Sequence, residues 1–184
     1  MKLVVGVSGA SGVILAKRLL EELTSHETHL ILTSHAKLLV ERELDIGVEK
    51  FKALATFCYE EDDFLAPVAS SSFPIDAMII VPCTLKTLSG IANGYASNLL
   101  IRTAENVLKL GKKLIVVPRD TPLTLSSLEN MVKLKRGGAI ILPPMMAYYY
   151  KPKNIEDVTN FFVGKILEVL GIDHNLYPQW RGEP

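Results

Sequence analysis

The stretch MKLVVGVSGASG (residues 1–12) decides the fold. Residues 3–7 are an uninterrupted apolar run of strand length, the pattern of a parallel strand buried on both faces. The run passes into Ser8, Gly9, Ala10, Ser11 and Gly12, and a helical pattern begins at once. Leu15, Leu19 and Leu23 share one face of that helix, and Lys17, Arg18, Glu21 and Glu22 cover the other. A strand delivered through small residues to a helix N-terminus can cradle a phosphate. Amides without helical partners point at the anion, and glycine lets the backbone come close. The spacing is neither GxGxxG nor a Walker loop, so the same residues also make a plain tight turn.

Outward from this stretch the pattern repeats. Residues 28–33 read as a second strand and 36–43 as its helix, with Ser34 at the helix start. Two consecutive β-loop-α units predict an α/β fold, a three-layer, doubly wound parallel sheet, over one domain spanning 1–184. Such sheets bind ligands at the carboxyl ends of their strands, so Ser8 to Ser11, Ser34 and Glu43 are expected around one crevice. Residues 45–75 are less regular. The EEDD run at 60–63 reads there as a solvated loop or helix end, outside the strand-end loops.

A third buried strand at 76–81 ends in Pro82, Cys83, Thr84, Leu85, Lys86 and Thr87, a second polar strand-to-helix junction. Thr84 and Thr87 can cap or bind, Lys86 either contacts a ligand or faces solvent, and Cys83 reads as a small hydrophobe. Residues 98–110 form a helix with Arg102 on its outer side. The strand at 113–117 delivers Arg119 toward the crevice, where a guanidinium suits an anion or pairs with Asp120. Ser126 or Ser127 is expected to cap the helix carrying Glu129, and a fifth strand follows at 139–142. Three consecutive tyrosines, Tyr148, Tyr149 and Tyr150, cannot share a face, so at least one meets a ligand, a partner or solvent. The last helix, 155–170, is expected to turn Ile155, Val158, Phe162, Ile166 and Leu170 inward, with Lys165 at the edge. The tail, with Tyr177, Trp180 and Arg181, is expected to dock on the domain or on a neighbouring subunit.

Composition narrows the classes. Lys plus Arg and Asp plus Glu both number 20, so there is no basic field for nucleic acid or an anionic membrane. No apolar run reaches transmembrane length, and Met1 leads straight into a strand, so a cytoplasmic protein is expected. The two cysteines give neither a disulfide framework nor metal-ligand spacing, and no metal is expected. A hydrophobic content of 48% with a mean hydropathy of +0.25 points to buried subunit interfaces.

Taken in order, GASG (9–12), PCTLKTLSGIANG (82–94), NLLIRTAENVLK (98–109), LIVVPRDTPL (114–123), LENMVKL (128–134) and GAIILPP (138–144) followed by YYYKP resemble the flavin prenyltransferases, the UbiX/Pad1 family once labelled 3-octaprenyl-4-hydroxybenzoate carboxy-lyases. The resemblance runs over essentially the whole chain. It implies a Rossmann-like or flavodoxin-like flavoprotein domain in a homo-oligomer, typically a dodecamer, that joins a dimethylallyl group from dimethylallyl phosphate to reduced FMN. The prenylated FMN then serves a partner UbiD-type decarboxylase. By the same resemblance Gly9, Ala10, Ser11, Ser34, Thr84, Leu85, Lys86, Thr87 and Arg119 bind FMN. Glu43 and Glu129 are active-site acids, and Tyr149, with Lys165 and Arg102, holds the donor phosphate. The family usually has arginine where Lys165 stands, and PRE where this chain has PRD. Two other classes fit a flavin-binding domain. One is an FMN-dependent cysteine decarboxylase-like oxidoreductase, whose PASANT-like loop is replaced here by residues 82–87. The other is a non-catalytic flavin-binding subunit of a decarboxylase complex, which prenyl transfer would exclude.

Overall fold

Six parallel strands form one sheet in the computed structural model, which describes residues 1–178, 180 and 182. They are β1 (Lys2–Val7), β2 (Glu27–Leu32), β3 (Phe57–Glu60), β4 (Ala77–Cys83), β5 (Lys113–Pro118) and β6 (Ile140–Ile141), in the spatial order β3-β2-β1-β4-β5-β6. The helices are α1 (Val13–Glu22), α2 (Ser34–Glu43), α3 (Val48–Lys52), α4 (Leu85–Ala92), α5 (Leu99–Lys109), α6 (Leu125–Arg136) and α7 (Ile155–Leu170). The doubly wound α/β architecture expected from the first forty residues is the one that forms. With the short edge strand β3 the order is that of dinucleotide-binding sheets; without it, the remaining five strands follow the flavodoxin order.

Alternation along the strands divides the core into two layers. Leu3, Val5 and Val7 of β1, with Ile79 and Val81 of β4 and Ile115 and Val117 of β5, face α1, α2, α3 and α7. Val4, Met78, Ile80, Leu114 and Val116 face α4, α5 and α6. Gly6 lies on this second side, where an added Cβ would come within 3.1 Å of Leu100. The chain leaves β1 toward β2 on one side and leaves β4 toward β5 on the other. The switch point of the sheet therefore lies between β1 and β4, which are hydrogen-bonded neighbours. In open sheets that is where ligands bind.

Three local expectations change. The stretch 45–75 contains α3 and the strand β3, which pairs with β2 from His29↔Phe57 to Leu32↔Glu60. Glu60 therefore closes an edge strand, where Lys37 and Lys52 pair with it, and the EEDD run sits at a strand end after all. Charged residues blunt such an edge against further pairing. α2 starts at Ser34 as expected, and its cap is Thr33, whose Oγ1 accepts from Ala36 N at 3.2 Å. α6 is capped by Thr124 rather than Ser126 or Ser127; Ser127 donates its amide to that cap at 3.3 Å and lies buried in the first turn. Ile155 is 74% exposed, because the start of α7 overhangs the core and the packed row starts at Val158.

In the tail Tyr177 is buried on α7, and an added Cβ at Gly164 would come within 2.6 Å of its ring. The expectation for Arg181 lies outside the described residues. Among the described residues, no helix is long and apolar enough to cross a membrane.

Candidate active site

The loops after β1 and β4 are joined by one buried side chain. Ser8 Oγ donates to the Pro82 carbonyl at 3.1 Å and accepts from the Thr84 amide at 2.8 Å, and the Ser8 amide donates to the same carbonyl at 3.2 Å. This closes the two strand ends on each other where the sheet switches direction. Thr84 then caps α4, accepting from Thr87 N at 3.1 Å and donating to Thr87 Oγ1 at 3.0 Å. The first amides of α4 thus face a crevice of about 260 Å³, lined by Ser8, Gly9, Thr33, Glu61, Thr84 and Thr87 among others. Gly9 is in contact with α2: an added Cβ would sit 2.4 Å from the Cβ of His35. Only glycine lets the loop after β1 come this close.

Gly12 adopts φ 100° at the start of α1 and offers no side chain to cap it. Glu43, from the end of α2, fills that role: its Oε2 accepts from Gly12 N at 2.8 Å and from Val13 N at 3.3 Å. The carboxylate expected beside the small-residue loop is thus held at the loop's end by two amides. A negative charge there also complements the positive end of α1. Ala10 is buried, and Ser11 is exposed toward solvent.

The remaining expected residues divide into separate neighbourhoods. Leu85 and Lys86 open α4, and Lys86 lines the crevice with Thr87. Arg119 follows β5 with its amide bonded to the Cys83 carbonyl at 3.1 Å, so its backbone is tied to the end of β4. Asp120 turns to the Thr121 amide at 2.8 Å instead of pairing with Arg119. Arg102, on α5, donates Nε to the Ala69 carbonyl at 3.3 Å.

Tyr149 and Lys165 meet around Phe161, at 6.4 Å between ring centroids for Tyr149 and 5.5 Å from Nζ to the ring centroid for Lys165. Lys165 Nζ also donates to Glu168 at 2.9 Å. Of the three tyrosines, Tyr148 and Tyr149 are exposed, and Tyr150 stacks on Phe161 at 5.1 Å. Glu129 lies on the exposed face of α6, in a groove of about 560 Å³ with Leu125, Leu128, Val132, Lys133 and Arg136. A single chain therefore gathers Gly9, Ser34, Glu43, Thr84 and Thr87 near the strand ends. It leaves Glu129 apart from them and puts Tyr149 and Lys165 against α7.

Cys83 is wholly buried at the end of β4, and burial pushes its thiol up, which suits a packing role rather than a nucleophile. Glu61 belongs to the crevice although the sequence placed it in solvent. Its Oε1 accepts from Ser34 N at 2.8 Å and its Oε2 from Asn98 Nδ2 at 3.2 Å. The strand-favouring residue types of Thr56, Phe57 and Tyr59 are the weak signal that could have placed it there. Among the described residues no three His, Cys, Asp or Glu side chains converge on a point that could hold a metal.

A switch-point crevice with capped helix N-termini, a glycine loop packed tightly on α2 and a backbone-anchored arginine fits a phosphate-bearing ligand such as FMN. The comparisons agree with that chemistry. A family model described as Flavoprotein matches residues 1–167. Flavin prenyltransferase UbiX of Methanocaldococcus jannaschii is 51% identical to this chain, over 98% of both chains. The crystal structure of AnUbiX (PadA1) in complex with FMN and dimethylallyl pyrophosphate matches at a TM-score of 0.97 with 37% identity, covering 100% of this chain and 98% of that one. A dodecameric FMN-dependent UbiX-like decarboxylase from Escherichia coli O157:H7 matches at a TM-score of 0.96 with 41% identity, over 99% of this chain and 100% of that one.

Proposed function

The chain belongs to the flavin prenyltransferases of the flavoprotein family, and from that premise we propose that it joins the dimethylallyl group of dimethylallyl phosphate to N5 and C6 of reduced FMN, releasing prenylated FMN to a UbiD-type decarboxylase in the cytoplasm. The observation that carries the reading is the Ser8 joint, which closes the loops after β1 and β4 into one anion-seating crevice at the switch point of the sheet.

The reduced flavin ring supplies the electron-rich acceptor, and the chain's own residues bind, orient and move protons. Gly9, Ala10, Ser11 and Ser34, the Thr84–Thr87 turn and Arg119 hold the flavin. Tyr149 and Lys165 grip the donor phosphate and stabilise the charge it gains on departure, with Arg102 as a further cation. Lysine at 165 keeps the charge of the usual arginine but gives up its two-pronged geometry, so the seat is a point charge. Glu43 accepts or relays the proton lost from the ring. The placement of Glu129, Tyr149 and Lys165 away from the crevice of one chain supports a homo-oligomer, like the dodecameric Escherichia coli relative, in which neighbouring copies complete each site.

Two measurements test this. Anaerobic incubation of the protein with reduced FMN and dimethylallyl monophosphate, followed by mass spectrometry of the released flavin, is expected to yield a flavin heavier by one C5 unit only when protein and donor are both present. Unmodified flavin with this donor and with the diphosphate, despite bound FMN, would overturn the reading. Glu43→Gln keeps an acceptor oxygen for the Gly12 and Val13 amides, so FMN is expected to stay bound while transfer slows by roughly a hundredfold. Turnover equal to wild type in single-turnover kinetics would remove Glu43 from the proton path.

A further inference from the structure

The anion-seating crevice already contains an anion of its own. Glu61 leaves β3 and ties two helix starts together: Oε1 takes the Ser34 amide of α2 at 2.8 Å, Oε2 takes Asn98 Nδ2 at the head of α5 at 3.2 Å, and the Glu61 carbonyl accepts from Leu99 N at 2.7 Å. Burial pushes its carboxyl up, but the Ser34 amide and hydroxyl, the Asn98 side chain and nearby His35 together hold it below the usual carboxylate range. At neutral pH it is charged. Its carboxylate therefore lines the same crevice as Gly9, Thr84, Lys86 and Thr87 and occupies the first free amide of α2, the kind of donor that seats a phosphate.

We propose that Glu61 is a displaceable internal anion: it satisfies the start of α2 in the flavin-free chain, competes with the flavin phosphate for that position, and so shortens the residence of the flavin product. The inference rests on the proposed function, because there the flavin is a product that must leave. A resident cofactor would gain nothing from a built-in competitor. The arrangement also serves the flavin-free state, since without Glu61 the α2 amide and the Asn98 side chain would lose their common partner. A phosphate that enters replaces the hydrogen bond to Ser34, and the carboxylate beside it opposes the phosphate's own charge. When the phosphate leaves, Glu61 re-forms its hydrogen bond to the Ser34 amide.

The test is FMN binding to the full chain, measured by quenching of flavin fluorescence, with dissociation followed after dilution. Glu61→Gln keeps an oxygen for the Ser34 amide but removes the charge. It is expected to bind FMN roughly fivefold more tightly, with dissociation slowed in proportion and riboflavin affinity unchanged, because riboflavin lacks the phosphate. FMN affinity equal to or weaker than wild type would overturn the proposal, as would an equal gain for riboflavin. Glu61→Asp keeps the charge but, one methylene shorter, withdraws from Ser34. It is expected to fall between the two, and weaker FMN binding by this variant would also overturn the competitor role, which covers the case where the glutamine variant fails to fold. Prenyl transfer by the wild-type chain is read separately. Its absence sinks the proposed function, whereas a glutamine variant no tighter for FMN sinks only the role of Glu61.

Discussion

Gly9→Ala is expected to cost the protein about 1–3 kcal/mol and to weaken FMN binding by roughly tenfold or more. The cause is steric. The added methyl would lie 2.4 Å from the Cβ of His35 and 3.3 Å from its carbonyl carbon, so a rotamer change in His35 cannot relieve it. Either the loop after β1 or the first turn of α2 must move. The loop is fixed through Ser8 to Pro82 and Thr84, and α2 is fixed through Thr33, whose amide donates to the Val7 carbonyl at 3.1 Å. Whichever side yields, the amides around the crevice lose their common aim, and ligand affinity falls further than stability alone would suggest. At about 2–4 °C per kcal/mol for a chain of this length, thermal unfolding should drop by ~2–12 °C. Gly47→Ala is the control, because nothing lies within 4 Å of its added methyl. It should leave unfolding temperature and FMN titration unchanged. A Gly9→Ala protein that binds FMN like wild type would show that the loop after β1 does not form the flavin seat.

The crevice was legible in the sequence to different depths, for physical reasons. β1, β4 and β5 are apolar runs buried on both faces, and each ends abruptly in small or polar residues. One-dimensional pattern therefore gave both the strands and the loops that end them, and with them the parallel sheet. Glu61 was not legible, because β3 is only four residues long, lies at the sheet edge and leaves Phe57 47% exposed. A strand that pairs on one side only carries little hydrophobic signal, and the acidic run after it looks like solvated chain. The cap of α6 is Thr124, two or three residues before the expected Ser126 or Ser127, since serine and threonine are interchangeable in that role. The resemblance supplied Glu129, Tyr149 and Lys165, but nothing in the sequence said that one chain would hold them in separate neighbourhoods. That separation is a property of surfaces, and it directs attention to α6.

Leu128→Asp combined with Val132→Asp is expected to break the proposed homo-oligomer into smaller species and to abolish the proposed prenyl transfer while leaving the chain folded. Leu125, Leu128 and Val132 lie at helical spacing on one face of α6 and are 72%, 46% and 49% exposed. Met145 and Met146 are also exposed, at 72% and 52%. An apolar stripe of this kind is costly to leave in water, since burying a leucine or valine side chain is worth about 1.5–3 kcal/mol. Glu129, Lys133 and Arg136 flank the stripe, which gives it the polar rim of a subunit interface. The side chains changed are peripheral to the chain's own core, so the monomer should keep its circular dichroism and much of its unfolding temperature. Across an interface the same aspartates would be buried without partners, at a cost of several kcal/mol repeated at every equivalent contact of the proposed homo-oligomer. Light scattering coupled to gel filtration reads the outcome directly. If the doubly substituted protein keeps the wild-type mass, α6 is not an interface, and Glu129 cannot reach a neighbour's crevice through it. If the mass falls, FMN titration of the dissociated chain separates the two halves of the site: residual binding would belong to the crevice of β1 and β4, and the lost transfer to the residues that only a second copy brings.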